Sequence, residues 1–187
     1  MRHYKIYDLK KSENMIQSAA EILFSVFQEI TPLSWPTYES AIDEVNECLE
    51  EERICLGLFV DEKLIGWAGL REQYEKTWEL HPIVIKQAYQ GQGWGKILLE
   101  ALEKRAVQKG IEGIILGTDD ENFRTSLSQK ELNGDNLFSE IKNIKNLNHH
   151  PYEFYRNCGY SIVGVIPNAN GKNQPDIWMW KNLIRSY

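Results

Sequence analysis

Gln90-Gly91-Gln92-Gly93-Trp94-Gly95-Lys96 sets three glycines at alternate positions directly ahead of an amphipathic stretch. Lacking Cβ atoms, these glycines can take positive φ and let successive backbone N–H groups converge on one anion at a helix N-terminus. A phosphate or pyrophosphate is the anion such a loop suits. The spacing is not the Gly-x-Gly-x-x-Gly of a dinucleotide fold, and no Gly-Lys-Ser or Gly-Lys-Thr follows to make a P-loop. A tight strand-to-helix turn that binds nothing is the plain alternative. Ahead of the loop, Trp78 to Ile85 reads as a strand on which Glu79 and His81, two residues apart, share a face. Asp119, Asp120 and Glu121 gather a further set of acids just past the apolar run Ile114-Ile115-Leu116.

The elements that must hold these groups are legible from periodicity. His3 to Asp8 alternates as a strand, and Met15, Ile16, Ala19, Ala20, Leu23, Phe27 and Ile30 recur at helical spacing behind Ser12, a candidate cap. Pro32 and Pro36 break that helix. A second helix is expected from Tyr38 to Glu52, with Ala41, Ile42, Val45, Cys48 and Leu49 as its apolar stripe. Glu39, Asp43, Glu44, Glu47, Glu50 and Glu51 fall on the remainder. Ile54–Val60 and Leu64–Leu70 read as strands joined by Asp61-Glu62-Lys63, and Trp78–Ile85 as a third. The helix after the glycine loop is expected to bury Ile97, Leu98, Ala101, Leu102 and Val107 and to stop at Gly110. Residues 118–150 form a polar segment long enough to carry a helix of its own, around Leu137, Phe138, Ile141 and Ile144. Pro151 to Asn157 makes a short helix closed by Gly159, and strands Tyr160–Ile166 and Asp176–Lys181 flank a turn at Pro167–Gly171. The sum is an α+β fold with a mixed, mainly antiparallel central sheet and flanking helices.

With 187 residues, 42% of them hydrophobic, the chain is sized for one domain over residues 1–187. A net charge of -6 without a basic patch disfavours nucleic acid and suits a cationic partner, although mild acidity also serves solubility. No stretch resembles a signal peptide or reaches the roughly 20 apolar residues that span a bilayer, so a soluble cytoplasmic protein with no membrane partner is expected. Cys48, Cys55 and Cys158 form no Cys-x-x-Cys pair, and their odd number points to reduced thiols. His149-His150 lacks companion ligands at metal spacing, so no metal is expected.

Gln90-x-x-Gly93-x-Gly95 after an apolar strand resembles the Gln/Arg-x-x-Gly-x-Gly/Ala signature of the GNAT N-acetyltransferase superfamily. Phe154-Tyr155-Arg156-Asn157-Cys158-Gly159-Tyr160 resembles its Phe-Tyr-x-x-x-Gly-Phe/Tyr segment, in the right order. Trp78-Glu79-Leu80-His81-Pro82, Leu116-Gly117-Thr118-Asp119-Asp120, His150-Pro151-Tyr152-Glu153-Phe154-Tyr155 and Pro175-Asp176-Ile177-Trp178-Met179 are similar to the aminoglycoside 6'-N-acetyltransferases of the enterococcal chromosomal type. The likeness is strong from Trp78 to about Lys181 and weak over the first half.

The resemblance implies the GNAT acyl-CoA N-acyltransferase fold and direct acetyl transfer from acetyl-coenzyme A to a primary amine. Glu79 is then the candidate base or substrate anchor, since an ammonium must lose a proton before it can attack. His81 would orient that base or touch substrate, or be structural. The backbone N–H of Ile83 would receive the oxyanion, and Ile83, Val84 and Ile85 the pantetheine arm. Gln90, Gly91, Gln92, Gly93, Trp94, Gly95 and Lys96 would hold the pyrophosphate. Tyr155 would donate to the leaving thiolate, with Tyr152 as its rival on the same helix face. Asp119 and Asp120 would draw a cationic acceptor. That acceptor is an aminoglycoside by the resemblance, or else a polyamine, a metabolite amine or a protein lysine; a coenzyme A sensor without turnover is the non-enzymatic alternative. Similar enzymes are often dimers, so a homodimer is expected.

Overall fold

A computed structural model describes residues 3–31 and 34–184. Of the expected break between the first two helices, Pro32 and Leu33 lie outside the described residues. The chain folds as two compact units, residues 1–112 and 113–187. Every strand pair within a unit is antiparallel.

The first unit runs β1 (Tyr4–Asp8), α1 (Glu13–Ile30), α2 (Tyr38–Cys48), β2 (Ile54–Val60), β3 (Lys63–Glu72), β4 (Thr77–Ile85) and α3 (Trp94–Gln108). Its strands follow chain order, β1 on β2, β2 on β3, β3 on β4. The β2–β3 turn is two residues long, with φ of 48° at Asp61 and 64° at Glu62, the pair of left-handed residues that matches strand twist. Helices α1 and α2 cover one sheet face through Ala19, Ala20, Leu23, Val26, Ala41, Val45 and Cys48, packed with Cys55, Phe59, Trp67 and Val84. Trp67 locks that layer by donating its indole N–H to the Ala19 carbonyl at 3.0 Å. Helix α3 packs against β2, β3 and β4 with Leu98, Leu99 and Leu102.

Several local expectations need correction. Ser12 stands at the cap of α1 without a side-chain cap bond, whereas Thr37 and Ser40 make a reciprocal capping box at α2. Helix α2 stops at Cys48, not Glu52, and Glu44 is buried in it at 8% exposure. In α3 the buried position is Ala106 while Val107 is 50% exposed, because the 100° step places Ala106, four beyond Leu102, on the inner face. Gly110 ends α3 as expected, with φ of 84° and the paired bonds Ile111 N–H to Ala106 and Gly110 N–H to Val107.

Strand β4 carries one more residue than β3 between the pairs Leu70↔Leu80 and Ala68↔Ile83, a bulge at His81–Pro82. Before it, Glu79 pairs with Arg71 and shares the α1–α2 face with Trp67; after it, Val84 pairs with Trp67 and takes that face. Opposite the bulge sits Gly69. A Cβ there would collide with Cys48 Sγ of α2 and stand 2.8 Å from the His81 carbonyl oxygen.

The second unit runs β5 (Gly113–Asp119), α4 (Leu137–Lys142), α5 (Tyr152–Asn157), β6 (Ser161–Ile166) and β7 (Asp176–Asn182), with β7 paired to both β5 and β6. Helix α4 is shorter than its apolar spacing suggested, and Phe138 is 78% exposed. The segment ahead of it is organised by Asp120, whose buried carboxylate accepts from the Arg124 and Thr125 N–H groups and the Thr125 and Ser128 hydroxyls. His150, 1% exposed, donates from Nε2 to the Asp119 carbonyl at 3.0 Å and accepts the Tyr152 N–H at Nδ1 at 3.2 Å. Both bonds require the neutral ring. Among the described residues no cluster of potential metal ligands occurs, and no helix is long and apolar enough to cross a membrane.

Two stability measurements follow from these contacts. Gly69→Ala should lower the unfolding free energy by about 1–3 kcal/mol in urea, since neither backbone nor helix can yield freely at the bulge. Burial holds the His150 pKa below its ordinary 6.5, so below that pH the unfolded chain binds a proton that the folded chain refuses. Its contribution is present above about pH 6.5 and lost on acidification; the thermal midpoint should fall less steeply from about pH 7 to about pH 5 in His150→Gln than in the parent.

Candidate active site

On the α1–α2 face, β3 and β4 set Glu79 and His81 beside charged partners that the sequence pattern left apart. Glu79, 8% exposed, accepts from Arg71 Nε at 2.8 Å, directly across the two strands. It is therefore a paired anion, not a solvent-facing one. His81 is half-buried and bonds through Nε2 to Glu44 Oε2 at 3.2 Å; the Trp35 indole N–H reaches the same oxygen at 3.3 Å. Burial pushes the Glu44 pKa up, but the His81 hydrogen bond and charge, the Trp35 bond and the Arg71 charge outweigh it, and the net shift is downward. Glu44 is thus ionised at neutral pH. Trp35 also stacks edge-on against Phe27 at 4.6 Å, so the imidazole and its carboxylate sit in an aromatic wall.

Arg71 and Glu44 were both missed in the sequence, though each left a trace. Arg71 follows the apolar run of β3 and faces Glu79 once the hairpin register is known. Glu44 stands with Ala41, Val45 and Cys48 at the 3–4 spacing of the buried stripe.

Backbone direction along β4 can be read from its exit. The Lys86 N–H donates to Ile65 of β3 at 2.8 Å, so by strand alternation the Val84 polar groups face β3 and those of Ile83 and Ile85 face away from it. In agreement, the Ile85 carbonyl accepts from the Gln90 side chain at 2.8 Å.

The glycine loop departs in part from expectation. Only Gly91 and Gly93 take positive φ, 69° and 85°; Gly95 lies within α3. A Cβ on Gly91 or Gly93 would meet nothing within 4 Å, so the loop opens outward. Gly93 caps α3 without a side chain, and the first intrahelical bond runs from Ile97 N–H to Gly93. The N–H groups of Trp94, Gly95 and Lys96 consequently lack helical acceptors, with no acid in the first turn to compete for them. This arrangement fits a pyrophosphate. The Gln90 and Gln92 side chains instead donate to the Ile85 and Ala88 carbonyls, and the Trp94 ring is buried beside Tyr4 at 5.6 Å. These three residues shape the loop; of Trp94, only the main chain is placed for an anion. The Lys96 amine is exposed, 4.0 Å from Glu100.

In the second unit, Tyr155 lies on α5, edge-on to Phe154 and Tyr160 at 5.1 and 5.9 Å. Burial, with a smaller push from Cys158, holds its hydroxyl well above the ordinary tyrosine pKa, so the phenol stays protonated. Its rival Tyr152 is 1% exposed, under the Arg156 guanidinium at 5.4 Å. At the end of β5, Asp119 is half-buried and accepts from Asn170, and burial together with Asp119 raises the pKa of neighbouring Glu121. Asp120 does not fit an acceptor-binding role, because it is fully buried and its oxygens are consumed within its own loop.

The acetyltransferase (GNAT) family matches residues 20–125. An aminoglycoside 6'-N-acetyltransferase structure complexed with coenzyme A is 36% identical, with a TM-score of 0.88, over 98% of this chain and 99% of that one. The aminoglycoside 6'-N-acetyltransferase from Enterococcus faecium is 37% identical, with a TM-score of 0.86, over the same shares of the two chains. A streptothricin acetyltransferase of Escherichia coli is 29% identical over 73 residues, 39% of this chain and 42% of that protein, so that match spans less than half of its length. The structural likeness thus includes the first half, where the sequence resemblance was weak. With the family matched over more than half its residues and the fold shared end to end, this chain belongs to the GNAT family of acetyl-coenzyme A-dependent N-acetyltransferases.

Proposed function

We propose that this enzyme acetylates the 6'-amine of an aminoglycoside. The observation that carries the proposal is the end-to-end similarity, at 36–37% identity, to two aminoglycoside 6'-N-acetyltransferases. The placement of its own residues is compatible with that chemistry. Glu79, paired with and oriented by Arg71, offers a negative charge to an acceptor ammonium, and Asp119 and Glu121 are further acidic groups that suit a polycation.

The bond changes assign the remaining roles. The amine nitrogen forms a bond to the thioester carbon, the carbonyl oxygen takes up negative charge, and the carbon–sulfur bond breaks. The Ile83 N–H, directed away from β3, is the donor for that oxygen. Main-chain groups of Ile83 and Ile85 suit an extended pantetheine arm in the manner of an added strand. The open N-terminus of α3, from Gly93 to Lys96, would hold the pyrophosphate. Tyr155 donates a hydrogen bond to the departing sulfur. A thiol ordinarily titrates near about 8.5, well below this phenol, so Tyr155 stabilises the thiolate without surrendering its proton, and solvent completes the protonation.

Thiol release from acetyl-coenzyme A, followed with aminoglycosides bearing a free 6'-amine, with spermidine and with lysine peptides, tests the acceptor. Release with the aminoglycosides is expected; release with only the other amines would refute the assignment. In the same assay Tyr155→Phe should lower kcat about 10- to 100-fold with little change in the KM for acetyl-coenzyme A. Glu79→Gln should act mainly on the KM for the acceptor, by about tenfold or more.

A further inference from the structure

We propose that Cys48 and Cys55 form a buried dithiol that a hydroperoxide oxidises to an intramolecular disulfide, and that closing this bond draws the end of α2 away from the β3–β4 bulge and slows acetyl transfer. The step that slows is the acetyl transfer of the family, whichever amine accepts.

Three contacts bring the two thiols together. Cys55 of β2 is the register partner of Gly69 in β3, and directly paired residues set their Cβ positions about 4.5–5.5 Å apart. Cys48 ends α2, and its sulfur lies over the same Gly69, where a Cβ would collide with it. The Cys48 thiol also hydrogen-bonds that of Cys55. Both thiols are free and buried in the layer between the helices and the sheet. A disulfide holds its sulfurs at about 2.0 Å and its Cβ atoms at about 3.8 Å, so bonding pulls Cys48 toward β2. The cost falls on the bulge. The point over Gly69 that Cys48 Sγ fills is 2.8 Å from the His81 carbonyl oxygen. Glu44, one turn earlier on the same face of α2, holds the His81 ring at 3.2 Å. Moving the end of α2 therefore disturbs both the main chain and the side chain of the residue that begins the bulge.

A buried cysteine ordinarily serves as a small apolar side chain. Two features go beyond packing here. The turn that separates the pair is closed only locally, by Glu50 N–H to Glu47, Arg53 N–H to Glu50, and ion pairs of Arg53 with Glu47 and Glu50 at 3.2 and 3.6 Å. Such a turn opens at little cost and admits a small oxidant to Cys55, which is 6% exposed against 1% for Cys48. The Arg53 guanidinium also acts on the Cys48 thiol, although the Cys55 bond and burial outweigh it and hold that pKa well above its ordinary value. Cys48 thus enters as the thiol. With hydrogen peroxide, Cys55 loses its proton and its sulfur attacks one oxygen; the oxygen–oxygen bond breaks, leaving a sulfenic acid, and the departing hydroxide takes up the proton as water. The Cys48 sulfur then displaces the sulfenic oxygen, which leaves as a second water with the hydrogen of the Cys48 thiol. Two electrons pass to the peroxide, and one sulfur–sulfur bond replaces two sulfur–hydrogen bonds.

The test combines fragment mapping with turnover. Trypsin cuts after Arg53 and so places Cys48 and Cys55 on separate fragments. The parent protein, treated with hydrogen peroxide and then alkylated, should yield those two fragments joined and two hydrogens lighter, and dithiothreitol should part them. Mapping needs no turnover, so an incorrect acceptor leaves it intact. In the same samples, coenzyme A release with whichever amine the parent acetylates should fall about tenfold or more and recover once dithiothreitol has been applied and removed. Cys55→Ala and Cys48→Ala both retain Cys158, and under the same treatment each should lose less than about twofold. Using both keeps the comparison open if one of them folds poorly. Absence of the joined fragments in the parent, joined fragments with undiminished acetyl transfer, or equal inactivation of the two variants would each overturn the proposal.

Discussion

Strands β3 and β4 stay in register on both sides of His81–Pro82 only because β4 carries an extra residue there, and much of the first unit's chemistry depends on that insertion. An uninterrupted strand would put Glu79, His81 and Ile83 on one face. The bulge keeps Glu79 and His81 toward α1 and α2, then reverses the order so that Val84 enters the core beside Trp67. It also ends in a stretch whose Ile83 and Ile85 main-chain groups point away from β3. Polar side chains are thus grouped before the bulge, and polar backbone after it. Gly69 permits the arrangement by letting the His81 carbonyl and Cys48 approach the same point.

Charge pairing is the second constraint, and each unit meets it differently. In the first unit Glu44 and Glu79 are both buried, and each has a partner there. Arg71 answers Glu79, while His81 and Trp35 answer Glu44. In the second unit Asp120 is answered entirely by neutral donors of its own loop, two N–H groups and two hydroxyls. A buried carboxylate is thus held by side chains of other elements in one unit and by its own loop in the other. Exposure alone would not separate Glu44 from Asp120; the nature of their partners does.

Most elements were readable from apolar spacing, and the discrepancies have particular causes. The period of α3 identified the helix but misplaced its last inner residue, because a 3.6-residue repeat leaves the choice between Ala106 and Val107 to whatever packs there. In α2 the acids were assigned to solvent as a group, although Glu44 keeps the spacing of Ala41 and Cys48. Of the anticipated site, Glu79 and His81 acquired partners, the exposed Gln90 and Gln92 bond main-chain carbonyls, and the Trp94 ring is buried. Asp120 was lost to its loop. Side-chain direction decided each of these, and direction follows from contacts with residues far away in the chain.

What the sequence alone determined is whatever depends on a residue and its close neighbours. Gly110 and Gly159 stop their helices because a left-handed residue is needed there, Asp61-Glu62 turns a hairpin, and Gly91 and Gly93 lead the chain into a helix through positive φ. These are backbone preferences, enforced within a few bonds. Tertiary structure decided which charges meet: Arg71 with Glu79 across two strands, and Glu44 with His81 over 37 positions of chain. The first pair needs the β3–β4 register and the second needs α2 to close over β4, and neither is encoded in the residues next to those groups.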